Sequence, residues 1–473
     1  MPPLFSGINV ALRAVLAHQA AVQVIENNVA NANTPGYRRQ AVVLAAAPSF
    51  GSPTLQQGSA TGTIGMGVTV ERIQRFSLDL LDAGYRRESA AAGRWETLQR
   101  TLKQLESSLA ESSTDGLVPK MDAFWSAWQA AAADPSNTAL RLAVTQSATQ
   151  LAQGFNRRAQ TLVDLRADKD QGVADRASEI NTLATKIAGL NVEVTRTMAA
   201  GLQPNDLLDE RDRALDRLAE ISGAISYTQQ DGSSIVSISG HALVVGSKTF
   251  TVNAAPDAGN SGLIGLTWSD GSAFTAAGGE LNGLIEARDT VIPEQLNGLN
   301  NLATTLAARV NTLHQAGYGL PPGNVTGEPM FQPFVTTNAA LEMTVNPVLD
   351  NPGNVALASA ANAPGDGRNA LALANVQYEK LLNGGTSTLN QAYLTQVATL
   401  GYQVRHAQDG QRDSQLLLDS LAQQREAVSG VSLDEEAAQL VQSQRAYEAA
   451  ARLMSAVDDM IDRVINGMGR VGL

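Results

Sequence analysis

The chain contains no cysteine. Disulfides, thiolate metal sites and cysteine nucleophiles are therefore excluded together. Aromatic residues are scarce, at 4% of the chain, while alanine is abundant throughout. Such a composition suits helices packed closely through small side chains. Basic residues are outnumbered, 34 Lys and Arg against 46 Asp and Glu, leaving a formal charge of −12. Neither nucleic acid nor a membrane is expected as a partner, because phosphate contact needs clustered cations. No run approaches the ~18 uninterrupted apolar residues of a membrane span. Asn9, Arg13, His18 and Gln19 interrupt the first segment, and no basic stretch precedes it, so a secretory signal is not expected either. At 473 residues the chain is long enough for several domains and a sizeable core.

Patterns that carry chemistry are also missing. His18, His241, His314 and His406 fall one per segment, without H-E-x-x-H or other paired-ligand spacing, so no metal site is expected. His18 sits at a seam position, where packing and register explain it. The glycines of "GTIGMGV" (Gly62, Gly65, Gly67) are spaced G-x-x-G-x-G, open no helix and precede no Walker lysine; they read as a β-turn rather than a phosphate loop. "DKDQGVADRASE" (168–179) has two acids at calcium-loop spacing but a misplaced turn glycine, and reads as an exposed helix face. The neighbouring acids Glu435–Glu436 and Asp458–Asp459 diverge on a helix and read as a solvated face. No G-x-S-x-G elbow occurs. No catalytic residue, cofactor site or metal site is expected, and the chain does not read as an enzyme.

What is present is helical periodicity, above all at the two ends. Ile8, Val15, Val22 and Val29 recur every seven residues, with Ala11, Ile25 and Ala32 at the companion positions. Leu433, Leu440, Tyr447, Met454, Ile461 and Met468 do the same at the far end, accompanied by Ala450, Val457 and Val464. β-branched residues repeated at one heptad position make a coiled-coil seam. Ser432 with Glu435 supplies a capping-box start for the second helix. The two helices are expected to pair with each other or with neighbouring subunits. Burying four Val/Ile side chains gains ~6–12 kcal/mol, whereas ordering roughly 30 residues costs ~30–60 kcal/mol. The termini are therefore expected to be mobile in a lone monomer.

Between the ends, helical spacing covers 77–113, 119–133 and 135–200, the last long enough for ~90 Å of helix. It is clearest at Ile180, Leu183, Ile187, Leu190 and Val194. Asn205 is the N-cap candidate of the next helix, with Asp206, Asp209 and Glu210 at its positive end. From Gly223 the pattern alternates, punctuated by Asp-Gly, Ser-Gly and Gly-Ser turns. The fold class that follows is mainly α with an inserted antiparallel β domain, elongated and multidomain. Its parts are a terminal coiled-coil-like unit (1–40 with 425–473), a helix-rich middle (41–222 with 276–424) and a β-rich insertion (223–275).

"NNVANANTPGYRRQ" (27–40) ends the first helix. Pro35 biases Thr34 away from helical geometry, Asn31 or Asn33 suits a left-handed cap, and Pro35-Gly36 suits the centre of a type II turn before Tyr37. This stretch and the preceding seam resemble the N-terminal signature of the bacterial flagellar axial proteins, comprising rod, hook and hook-associated subunits. "SGVSLDEEAAQLVQSQRAYEAAARLMSAVDDMIDRVI" resembles their C-terminal helix. "QPNDLLDERDRALDRLAEI" (203–221) and "GGELNGLIEARDTVIP" (278–293) resemble interior segments of the hook–filament junction family within that group. The resemblance implies a structural subunit of the hook–filament junction, secreted unfolded through the flagellar type III apparatus and assembled through its terminal helices into a ring. It also implies contacts with hook protein and with the hook-associated protein adjoining the filament, and an export chaperone on the C-terminal helix. Another axial subunit, rod or hook, is the alternative; an exported wall-active enzyme with axial-protein ends lacks a catalytic constellation.

Overall fold

The computed structural model describes residues 3–48, 65–109 and 115–468. Gly62, 110–113 at the end of one expected helix, and the side chain of Met468 lie outside the described residues. The chain opens with α1 (Pro3–Asn31), followed by the antiparallel hairpin β1 (Gln40–Ala46) and β2 (Val68–Arg75). Four helices follow: α2 (Asp79–Leu109), α3 (Leu117–Ala133), α4 (Thr138–Ala199) and α5 (Asn205–Ser222). Next come the strands β3 (Ile225–Thr228), β4 (Ser234–Ile238), β5 (His241–Val245), β6 (Lys248–Thr249), β7 (Val252–Pro256) and β8 (Ile264–Trp268). The chain returns to helix with α6 (Gly279–Glu286), α7 (Ile292–Ala316), the short α8 (Ala339–Glu342) and α9 (Arg368–Asn375). It closes with α10 (Leu389–Ser429) and α11 (Leu433–Met468). The chain is mainly α with small antiparallel sheets, the expected fold class.

The 62 residues of α4 span about 90 Å at ~1.5 Å per residue. Asn137 caps this helix, its side chain accepting from the Ala139 and Leu140 amides. Two apolar cores lie along it. The first gathers the C-terminal half of α2, α3, the first half of α4, α7, α9 and the start of α10. The few aromatic residues concentrate here: Phe124 lies 4.8 Å from Trp125, 6.1 Å from Trp128 and 6.0 Å from Phe331, centre to centre. Clustering lets a small number of rings fill the centre of a large core. The second core sets Val173, Ile180 and Ile187 of α4 and Leu218 of α5 against Val236, Ile238, Leu243 and Trp268 of the strands. The strands form a four-stranded sheet, β3-β4-β5-β6, and a separate β7–β8 hairpin.

Two local features depart from expectation. The 168–179 segment is not simply a solvated face: Asp170 accepts from the Ile264 amide at 2.8 Å and pairs with Arg288 at 2.7 Å. Arg288 belongs to a π turn, 287–291, that joins α6 to α7. Pro293, in the first turn of α7, has no N–H to offer an α-helical bond, so the ladder widens there instead of breaking.

Helices α2 and α10 pack antiparallel, bringing Trp95 against His406 and Tyr393 against the Leu109 carbonyl. A β-carbon on Gly410 would sit 2.7 Å from the Trp95 indole, so the two backbones approach as closely as glycine allows.

Candidate assembly joint

The chain ends meet. Gly7 lies against Val457, and Asn28 bonds Glu436 at 2.9 Å, so α1 and α11 run antiparallel. The termini thus pair with each other, the first of the two expected alternatives. On α11, Ala450 and Val457 are buried and Leu440, Met454 and Ile461 half-buried, whereas Leu433, Tyr447 and Val464 are exposed. On α1, Ile25 is buried with Ala11, Ala17 and Val24, while Ile8, Val15 and Val22 are half-buried. Val29 is 45% exposed. The buried line is displaced from the heptad line because α1 has two neighbours. Gly7 faces α11, and a β-carbon on Gly67, beside the hairpin, would lie 3.3 Å from Val10.

The outward faces stay uncovered: Leu12 and Leu16 on α1, and Val441, Leu453, Met460 and Ile465 on α11. Though interrupted by polar residues, Gly7–Asn31 is long and apolar enough to qualify as a membrane span by length and composition, and most of it is not buried. In this chain it lies against α11 and the hairpin.

At the foot of α1, the Asn-rich stretch forms a clamp. Tyr37 N–H donates to the Thr34 carbonyl at 3.1 Å, and Gly36 has φ +75°, which is the type II geometry expected of Pro35-Gly36. A β-carbon on Gly36 would also lie 2.6 Å from the Arg213 side chain. Neither Asn31 nor Asn33 takes the left-handed conformation. Asn31 instead donates to the Asn27 carbonyl at 3.0 Å and accepts from the Thr34 hydroxyl at 3.2 Å. Asn33 is exposed.

Asn28, buried, makes four bonds. Its amide donates to the Gln40 carbonyl at 2.8 Å and to the Glu436 carboxylate at 2.9 Å. Its oxygen accepts from the Gln40 amide at 3.0 Å and the Tyr37 hydroxyl at 2.8 Å. Burial, then the charges of Asp206, Asp209 and Glu436, push Tyr37 up to about 12, so its hydroxyl remains a donor. Glu436 is 0% exposed and also accepts from Arg39 at 2.7 Å. This corrects the reading of Glu435–Glu436 as a solvated pair: Glu435 is exposed, but Glu436 is the acceptor that joins α11 to the turn. Asn205 is likewise not an N-cap; it is the first residue of α5 and donates to Gln40 Oε1 at 3.0 Å and the Ile73 carbonyl at 3.1 Å.

Beneath the clamp lies a balanced network of four arginines and four aspartates. Arg38 grips Asp82 with two bonds, at 2.7 and 2.8 Å, and its backbone amide donates to Asp209 at 3.1 Å. Arg75 donates to Asp209 at 2.6 Å and also bonds Asp212. Arg86 bridges Asp216 at 2.7 Å and Asp212 at 3.0 Å. Arg425 of α10 reaches Asp82 and Asp216, both at 3.0 Å.

Asp209, Asp212 and Asp216 occupy one face of α5 because their spacing is three and then four residues. Burial opposes ionisation of Asp212, but Arg75, Arg86 and Arg38 outweigh it and hold the acid down at about 2. For Asp209 burial prevails over Arg75 and Arg38, and its pKa is raised. Burial likewise works against Arg38, yet Asp82 and Asp212 hold its charge on. Removing one partner from such a network strands another buried charge, at ~3–5 kcal/mol. The arrangement therefore fixes how the terminal pair leaves the helical core. Sequence reading missed it because the partners lie far apart in the chain, Arg425 and Asp82 the farthest; the i, i+3, i+7 acids of α5 were its one visible trace.

Among the described residues no three His, Cys, Asp or Glu side chains group as metal ligands. His314 lies in the apolar core with Nδ1–H donating to the Glu328 carbonyl at 2.7 Å and Nε2 accepting from the Ala356 amide at 3.1 Å.

Comparison with known proteins agrees with this architecture. Residues 102–331 match the family described as the flagellar hook-associated protein FlgK helical domain. Residues 8–38 match the flagella basal body rod protein family, and 422–467 the flagellar basal body rod FlgEFG protein C-terminal family. Flagellar hook-associated protein 1 of Bacillus subtilis (strain 168) is 29% identical over 504 residues, covering 99% of both chains. Its counterpart in Escherichia coli (strain K12) is 26% identical over 556 residues, covering 97% of this chain and 99% of the other. The flagellar hook junction protein FlgK from Burkholderia pseudomallei superposes with a TM-score of 0.64 at 15% identity, over 74% of this chain and 100% of that one; at that identity the likeness concerns the fold. With the paired ends, the interior helical domain and relatives of one kind along nearly its whole length, the chain is similar throughout to flagellar hook-associated protein 1.

Proposed function

We propose that the chain is a structural, non-enzymatic subunit of a ring between hook and filament, built through the α1–α11 pair. The observation that carries this reading is the terminal pair itself, locked to the core by the Asn28 clamp and the Arg–Asp network while its outer apolar faces stay open. Copies associating side by side would cover those faces. In this arrangement 1–40 with 425–473 forms the inner tube, 41–222 with 276–424 the surrounding helical layer, and 223–275 faces outward. The seam residues Ile8, Val15, Val22, Ile25, Val29, Leu433, Leu440, Tyr447, Met454, Val457, Ile461 and Val464 then divide in use. Those buried here hold α1 to α11, and the exposed ones, such as Val29, Leu433 and Val464, meet neighbouring copies. Hook protein and the hook-associated protein adjoining the filament are the axial partners. Export proceeds unfolded through the flagellar type III apparatus to the cell exterior, with a chaperone covering the stripe from Leu433 to Met468 beforehand.

The test uses Leu16→Asp and Leu453→Asp, which alter exposed positions on the two outer faces. Both variants should keep the wild-type melting temperature and fail to enter the hook–filament junction of a strain lacking the wild-type protein. Normal filament attachment with either variant would sink the assembly role of these faces.

A further inference from the structure

We propose that Asn383 and Gly384 form a self-modifying turn, in which Asn383 converts through a cyclic imide to aspartate and isoaspartate with water as co-reactant.

The sequence holds four Asn-Gly pairs. Glycine matters to this chemistry because the attacking atom is its backbone nitrogen, and a β-carbon beside it would crowd the approach. Asn282-Gly283, Asn297-Gly298 and Asn466-Gly467 lie in α6, α7 and α11, where the helix ladder fixes the main chain. Gly283 and Gly298 are also tightly packed. A β-carbon on the first would lie 2.8 Å from the Arg94 carbonyl oxygen, and on the second 2.6 Å from the Gln396 side chain. Asn383-Gly384 differs on each count. It is exposed in the turn ahead of α10, where Asn383, Gly384 and Gly385 are left-handed in succession, at φ +53°, +69° and +82°. The Gly384 N–H meets no acceptor among the described residues, and a β-carbon there would touch nothing within 4 Å. A left-handed asparagine is strained, and the open surroundings let the Asn383–Gly384 peptide rotate until its nitrogen faces Cγ.

Two hydroxyls stand at the reacting atoms. Thr386 Oγ1 donates to the Asn383 carbonyl oxygen at 2.8 Å. That oxygen takes up negative charge when the Gly384 nitrogen loses its proton, so the bond favours the nucleophilic anion. Ser387 Oγ lies 3.1 Å from Asn383 Nδ2, the leaving nitrogen, and within reach of a general acid. Hydroxide removes the Gly384 proton, and the nitrogen bonds to Cγ. The Cγ–Nδ2 bond then breaks, and Nδ2 departs as ammonia with a proton passed from Ser387 and returned to it by water. A second water opens the imide at either carbonyl, giving aspartate or isoaspartate. Isoaspartate adds a methylene to the main chain of a turn whose Gly385, Thr386 and Ser387 amides all close on the Leu382 carbonyl. Conversion therefore loosens the segment that leads into the Thr388–Gln391 capping box of α10.

The test incubates the full chain in neutral and in mildly alkaline buffer and follows its peptides by mass spectrometry. Asn383 should be lost, with both aspartate and isoaspartate appearing, faster in the alkaline buffer, while Asn282 and Asn297 persist. Thr386→Val and Ser387→Ala should each slow the loss about tenfold, the worth of one aligned hydrogen bond. Persistence of Asn383 alongside Asn282 and Asn297 would overturn the inference. So would aspartate without isoaspartate, or either hydroxyl variant reacting at the wild-type rate or faster.

Discussion

Replacing Asn28 with Ala removes a side chain that links α1, the Thr34–Tyr37 turn, β1 and α11. Four hydrogen bonds disappear, three to neutral groups and one to the buried Glu436 carboxylate. At a net ~1 kcal/mol for each neutral bond and ~1.5 kcal/mol for the charged one, the loss is about 4.5 kcal/mol. At ~1.4 kcal/mol per decade that is roughly a thousandfold in the local opening equilibrium. The loss should stay local, because both apolar cores are built from residues beyond the clamp. Hydrogen exchange read by mass spectrometry reports both aspects. Amides of Gln40–Ala46 and of the start of α11 should lose protection by two to three orders of magnitude, while α3, α4 and α7 exchange as in wild type. Unchanged protection at Gln40–Ala46 would refute the clamp. Equal loss throughout would refute its separation from the core.

Gly36→Ala forces a β-carbon into a left-handed turn position and against Arg213, so protection of the same hairpin should fall by a further ~1–2 kcal/mol equivalent, read in the same exchange experiment. Trp128→Ala, at the centre of the aromatic cluster, should cost ~3–5 kcal/mol of global stability and lower the main thermal transition. Burial pushes His314 down to about 4 from an ordinary 6.5, so the unfolded chain binds the extra proton between those values. Its contribution is full above pH 6.5 and is lost as pH falls toward 4, ~3 kcal/mol in all. Denaturant unfolding of wild type and His314→Gln across that range should show a flatter pH dependence in the variant.

The sequence made the helices legible because their apolar spacing is a local property. Ile180, Ile187 and Val194 mark one face of α4 in the sequence, and all three are buried in the structure. The Pro35-Gly36 turn was legible for a similar reason, since its chemistry is confined to four residues. The joint was not. Glu436 is chemically indistinguishable from Glu435 in the sequence, and only the approach of Asn28 and Arg39 from the other end of the chain buries it. Asn205 has the side chain of a cap, but Gln40 and the Ile73 carbonyl claim its amide first. The line of α1 buried within the chain departs from the heptad line at Val29, because a heptad reading assumes one neighbouring helix while α1 packs against both α11 and the hairpin. Local rules describe elements well. Which polar groups become buried depends on pairings hundreds of residues apart.

We propose the terminal pair as the part by which the protein is built into the flagellum at the hook–filament junction. The most direct measurement is to label the protein on intact cells and locate the label along the hook and filament. A single focus at the distal end of each hook, absent when Leu16→Asp and Leu453→Asp are combined, is the predicted result. Label distributed along the filament or rod, or a focus that survives the double substitution, would contradict the account.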